Sequence, residues 1–297
     1  QCGNDDQNSY NCPVVTGYSA VVKSVQENAI LIDSPVISFY DGNLLYKQCA
    51  EYLSSLGISK GIVLDAFLKA EEVQNSYTRD IAKQNQETLQ LSQQAGNLTI
   101  LLAGRPYHAD PLIQHKVSNM LAEMGIDVIT EDVIREESID IKETHFLAQW
   151  SYPNRIMRAA KWCTAQSNNV QLVQMTSFGC GPDAFMVDEV RDLMLRHNRA
   201  YTQLKLDDIN NIGSMKLRVR SLVESLKIAN NIRENIATQE FVSTPNYSKQ
   251  YRGRKIIVPF FTPFISPLIP SVLRVAGYDV ESLPMSNEES SEYGLKY

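Results

Sequence analysis

The chain is short of several things, and each shortage excludes something. Five cysteines in 297 residues, odd in number and scattered, make no disulfide framework, so a reducing cytoplasm is the expected compartment. The most apolar stretch, Ile256 to Pro270, carries Pro259, Pro263, Pro267 and Pro270 and is too short to span a membrane. There are no runs of Lys or Arg, and a formal charge of −6 argues against nucleic acid as the main partner. Neither GxxxxGK[ST] nor HExxH nor GxSxG occurs, and no GxGxxG follows a strand, so P-loop and ordinary hydrolase chemistry have no support. No signal peptide is read at the polar start. A first residue Gln1 and a last residue Tyr297 read as a piece cut from a longer protein.

What is present is an ordinary globular composition. Hydrophobic residues make up 43% and charged residues 21%, which excludes disorder over most of the length. At this size two packed α/β lobes are expected. Two segments share one grammar: Leu98 to Ala103 is an apolar run, Gly104 to Asp110 a loop, Pro111-Leu112-Ile113 a helix opening, Gly125 its stop and Asp127 to Thr130 a second strand. Lys255 to Phe261, Pro267-Leu268-Ile269, Gly277 and Asp279-Val280 repeat that order. Fully apolar strands between helices point to parallel, doubly covered sheets.

Between these segments, Val170 to Thr176 reads as a strand, Met186 to His197 as a helix, Tyr201 to Leu206 as an alternating strand and Met215 to Ile236 as a helix. Ahead of them Val73, Tyr77 and Ile81 recur every four residues in a helix over Ala66 to Ala95 that Gly96 ends. The tail Ser286 to Glu292 reads as loop. The expected organisation is therefore an N-terminal α/β segment with a connecting helix (1–96), a Rossmann-like lobe (97–236) and the start of a further α/β lobe (237–297).

Two loops carry candidate chemistry. The first, Gly104-Arg105-Pro106-Tyr107-His108-Ala109-Asp110, follows a strand and precedes a helix, where open α/β sheets bind ligands. Arg105 suits a phosphate or carboxylate, and His108 suits proton exchange or hydrogen-bond donation. The competing reading is a loop braced by an Arg105–Asp110 pair over Tyr107. The second, Thr176-Ser177-Phe178-Gly179-Cys180-Gly181-Pro182-Asp183, again ends a strand. Gly179 and Gly181 bring backbone N–H groups close to the Cys180 sulfur, and the following helix start would favour its thiolate. Cluster ligation and a nucleophilic thiol both use such a place; a structural cysteine in a tight turn is the alternative.

Both loops follow parallel strands, so they are expected at one edge of one sheet, lining a cleft with Arg105, His108, Gly179 and Cys180. Cys49 and Cys163 read as core residues, and His115, His145 and His197 as solvated or capping groups on helices. Cys2 and Cys12, ten residues apart, match no CxxC metal pattern.

At these loops the sequence resembles a known family. Leu101 to His108 with Asp110-Pro111, Val128-Ile129-Thr130-Glu131-Asp132, Leu172-Val173-Gln174 through Asp183, and Leu204 to Asp208 with Asn210-Asn211 are similar to the large activase-type proteins related to the 2-hydroxyacyl-CoA dehydratase and benzoyl-CoA reductase systems. Asn11 to Tyr18 fits the same pattern, so the likeness covers nearly the whole chain. The resemblance implies two Rossmann-like lobes with mostly parallel sheets covered by helices. It also implies ATPase domains elsewhere in the same polypeptide, which drive an electron between iron–sulfur clusters and on to a CoA thioester or similar acceptor in the cytoplasm of an anaerobe. Cys12 and Cys180 match the family's cysteine positions as cluster ligands, with Gly179 and Gly181 beside them and Cys2 as a further candidate. Arg105, Tyr107, His108, Ser177 and Asp183 would line the adjacent substrate cleft. Two thiolates fall short of the usual four-ligand set, so the cluster is expected in the full-length protein and incomplete or absent in this piece. No ATP hydrolysis by this piece, no nucleic-acid or membrane partner, and a possible oligomer complete the expectation. The alternatives are a scaffold domain that docks the ATPase part, and a module that binds a small anion through the Arg105 loop.

Overall fold

The computed structural model describes residues 12–26, 32–39, 41–135, 137–145, 150–177, 181–206, 212–230, 240–243 and 249–294. Contacts divide the chain into two compact units, Gln1–Ser243 and Thr244–Tyr297.

Among the described residues, the first unit opens with the helices α1 (Pro13–Val25), α2 (Gly42–Ser55) and α3 (Lys60–Ala95). Asp41 caps α2 by accepting the Leu44 N–H at 2.8 Å. The 36 residues of α3 reach roughly 54 Å, and Gly96 closes the helix in the left-handed region at φ 71°. The first half of α3 packs against α2, where Tyr46 and Phe67 meet edge to face at 5.2 Å. Its second half lies along the sheet that follows.

That sheet is parallel and α/β in class. It contains β1 (Thr99–Ala103), β2 (Asp127–Thr130), β3 (Val170–Thr176) and β4 (Thr202–Lys205) in the order β2-β1-β3-β4. Its helices are α4 (Val117–Glu123), α5 (Ser151–Thr164), α6 (Gly181–Arg196) and α7 (Ile212–Asn230). Every residue of β1 and of β3 is buried; β1 reads as a near-continuous apolar run, while β3 interleaves Gln171, Gln174 and Thr176 with its apolar residues. Period-two alternation sends Leu101 and Leu172 to one face with Ile156 and Met157 of α5 and Val190 and Leu193 of α6. Ile100, Leu102, Val173 and Met175 face α4 and α7 on the other side. The long α3 covers the outer edge of β2, where the Asn85 Oδ1 accepts the Thr130 N–H at 2.7 Å. An edge amide of the sheet is thereby satisfied by a side chain instead of by another strand.

In the second unit β5 (Ile256–Val258) and β6 (Val280–Ser282) pair in parallel, joined by α8 (Leu268–Val275); α9 (Glu288–Gly294) follows. Strand, loop, helix and strand thus recur in both units, as the two matching phrases of the sequence suggest.

Several expectations need correction. Pro111 opens no helix: Asp110 Oδ1 accepts the N–H groups of Leu112 (2.8 Å) and Ile113 (3.2 Å), a tight turn that delays α4 to Val117. His115 sits in that turn with φ 52°, not on a helix. His145 lies in a bend, its N–H donating to Glu189 at 2.9 Å, and His197 lies just past α6. The tail is helical over α9 because Asn287 and Ser290 cap it reciprocally, with Glu288 and Glu289 in the first turn. Cys163 is fully buried in the core, as its apolar setting indicates, whereas Cys49 is only half-buried on α2, a helix with no fully buried residue.

Candidate functional site at the carboxyl edge of the sheet

The chain leaves β1 toward β2 on one side and returns to β3 on the other. The carboxyl ends of β1 and β3 therefore flank the point where strand order reverses, where doubly wound sheets leave a crevice. The β1 loop folds into a 3₁₀ turn over Pro106–Ala109, and the His108 ring turns back so that Nδ1 accepts the Arg105 N–H at 3.0 Å. Gly104 is required for this fold-back, because a Cβ there would stand 2.5 Å from His108 Nδ1.

Two side-chain pairs then tie the β1 loop to the β3 loop. His108 Nε2 meets Ser177 Oγ at 2.6 Å, and Arg105 Nη2 donates to Asp183 Oδ1 at 2.6 Å. The second pair is well shielded, with side chains 12% and 3% exposed. Arg105 is thus matched to Asp183 in the first turn of α6, and Asp110 is occupied with its own turn. The Tyr107 ring sits edge-on to His108 at 4.5 Å.

The proton inventory of the first pair follows from geometry. Burial, assisted by the neighbouring Arg105 charge, pushes His108 down to about 4, so the imidazole is neutral at pH 7. Its Nδ1 is an acceptor, so the proton is on Nε2, which donates to Ser177 Oγ. This is the reverse of a serine–histidine catalytic pair, in which Nε2 takes the serine proton. Ser177 is not activated as a nucleophile. Its own O–H is left to donate elsewhere.

A cleft of about 470 Å³ opens over the carboxyl ends of β1 and β2, walled by the β1 loop, α3 and α5. Glu131 and Asp132, just past β2, line it with Arg105 and Arg155. Arg155 Nη2 is 3.0 Å from Asp132 Oδ1 and 3.7 Å from Glu131 Oε1, and Arg135 Nη1 also donates to Asp132 Oδ1 at 3.0 Å. Glu131 is buried and receives the Gly104 N–H; burial raises it to about 7, against the opposing pull of Arg155.

The structure brings Arg105, Tyr107, His108, Ser177 and Asp183 together, but of these Arg105 alone is among the residues lining the described cleft. Gly179 and Cys180, with Phe178, lie outside the described residues. Gly181 opens α6 with nothing within 4 Å of a would-be Cβ. Cys12 is half-buried at the N-cap of α1. Among the described residues, no group of three His, Cys, Asp or Glu side chains is arranged to hold a metal ion. Sequence reasoning did not single out Arg155 or Asn85. It met Glu131 and Asp132 only within the resemblance, although an acid pair just past a buried strand was the available signal.

Residues 2–134 match the family model of a CoA enzyme activase uncharacterised domain. The match relates the chain to activase-type proteins. It takes in α3, β1, the whole Arg105 loop and Glu131, and it ends before Ser177 and Asp183. No curated protein and no solved structure matches this chain. No helix among the described residues is long and apolar enough to cross a membrane.

Proposed function

We propose that this chain is a module of an ATP-driven electron-transfer system of the activase and 2-hydroxyacyl-CoA dehydratase type, and that it holds a CoA thioester or similar small acceptor at the carboxyl edge of its parallel sheet. One observation carries the reading: the loops after β1 and β3 are bolted together at the strand-order reversal, beside a cleft of about 470 Å³. The activase match over residues 2–134 supports the system to which the module belongs. Cys12 and Cys180 are the thiolates this reading offers to an iron–sulfur cluster in a longer polypeptide, which would supply low-potential electrons there. The described residues of this chain account for binding and orientation. The Ser177 hydroxyl, with its lone pair engaged by His108, is free to donate to an acceptor oxygen, and Arg155 presents a guanidinium.

Calorimetric titration with acetyl-CoA tests the binding role. Binding should weaken roughly fivefold in Ser177→Ala, the loss of about one hydrogen bond. Iron and sulfide analysis of anaerobically prepared protein, with and without Cys180→Ser, tests the cluster. The second reading, a docking module for ATPase domains of the same polypeptide, is favoured by the way Arg105 and His108 satisfy Asp183 and Ser177 internally. A folded protein that binds neither thioester nor iron would put that reading first.

A further inference from the structure

We propose that the cleft over the carboxyl ends of β1 and β2 takes up a small oxyanion together with one proton, the anion on Arg155 and the proton on Glu131. The inference does not depend on the acceptor being a thioester. The ionisable groups that line the cleft, among the described residues, are Tyr77 from α3, Arg105 from the β1 loop, Glu131 and Asp132 from the turn after β2, and Arg155 from α5. With Glu131 ionised, the guanidiniums of Arg105, Arg135 and Arg155 are matched by the carboxylates of Asp183, Asp132 and Glu131, and the cluster is balanced. A proton on Glu131 leaves one positive charge in surplus, and only then does the cleft favour an anion.

Arg155 is placed to carry that surplus. Its Nη2 spans Asp132 at 3.0 Å and Glu131 at 3.7 Å. Asp132 keeps a second cation, Arg135 at 3.0 Å, if Arg155 turns into the cleft. A guanidinium offers the planar fork that carboxylate and phosphate-type oxygens accept. Glu131 is buried and lines the cleft, so an anion arriving there raises the cost of its negative charge further. Because burial already holds its titration near 7, a proton comes from solvent at neutral pH with little free-energy cost.

Sulfate and butyrate are the probes, since neither changes charge between roughly pH 6 and 9. Calorimetric titration at pH 6, 7, 8 and 9 should show affinity falling above about pH 7, approaching tenfold per pH unit, the slope of one linked proton. Binding of either anion with that slope supports the proposal; sulfate alone points to a phosphate-type ligand and butyrate alone to a carboxylate. Glu131→Gln should bind as well as the wild type does at pH 6 and lose the pH dependence, and Arg155→Met should bind at least tenfold more weakly at pH 6. Titrations at pH 8 in two buffers of different ionisation enthalpy should show uptake of close to one proton by the wild type. That measurement decides the matter even if Glu131→Gln does not fold. Failure of both anions to bind at pH 6, a flat pH profile, absent proton uptake, or unweakened binding in Arg155→Met would each overturn the proposal.

Discussion

Removing either half of the Arg105–Asp183 pair should not cost the same. Asp183→Ala leaves the Arg105 guanidinium, 12% exposed, without that carboxylate and beside the start of α6, the positive end of the helix dipole. Breaking a buried pair in this way costs about 3 kcal/mol or more. Arg105→Ala leaves a carboxylate in the first turn of that same helix, where the dipole favours it, so the loss should be only about 1–2 kcal/mol. The difference, about 1–2 kcal/mol, is the helix field read through one residue. The double variant should be less destabilised than the sum of the singles by about 1.5 kcal/mol or more, because the two groups share one interaction. Urea unfolding at pH 7 followed by tryptophan fluorescence measures this in the first unit alone, since the chain's two tryptophans, Trp150 and Trp162, both lie there. Raising the salt concentration should leave the difference standing, because the pair is shielded. Equal losses, the reverse order, or losses under about 0.5 kcal/mol for both, as exposed pairs give, would refute the reasoning.

Gly104→Ala should destabilise the first unit by roughly 1–3 kcal/mol, because its Cβ would collide with His108 Nδ1 at 2.5 Å and break the fold-back of the loop; urea midpoints of wild type and variant check this. Glu131 should make wild-type stability fall as pH rises. Between its ordinary value of 4.5 and the folded value of about 7, the folded chain keeps a proton that the unfolded chain has released, a contribution of about 3 kcal/mol that is lost by pH 8. Glu131→Gln should lack that fall, so unfolding free energies at pH 5 and pH 8 should converge in the variant relative to wild type. His108 acts with the opposite sign: its folded value lies below 6.5, so its contribution is present above 6.5 and is lost as pH falls toward about 4. Cys163 should resist iodoacetamide at pH 8 in the native protein and react in urea, since burial raises its thiol and closes access; peptide mapping after labelling reads the difference.

What the sequence determined by itself is local. β1 and β3 are legible as buried strands because a strand covered on both faces is mostly apolar, and Thr99 in β1 and Gln171, Gln174 and Thr176 in β3 are the buried polar exceptions. The extent of α3 is legible because Val73, Tyr77 and Ile81 recur at helical spacing and Gly96 supplies the left-handed stop, but Val73 and Tyr77 are exposed, so that spacing does not mark the face the helix buries. The positions of the two candidate loops follow from the same signals, since each begins where an apolar run ends. Partnership was decided only by the tertiary structure. Arg105 meets a residue 78 positions away, not the Asp110 of its own loop, because β1 and β3 are neighbours in the order β2-β1-β3-β4 and the start of α6 falls beside the β1 loop. The direction of the His108–Ser177 hydrogen bond depends on a backbone N–H reaching Nδ1, which only the folded loop provides. Glu131 reads in the sequence as one acid among many. It becomes a group that titrates near neutrality because α3, the β1 loop and α5 close around it, and desolvation is a property of what surrounds a residue, which its sequence neighbours do not contain.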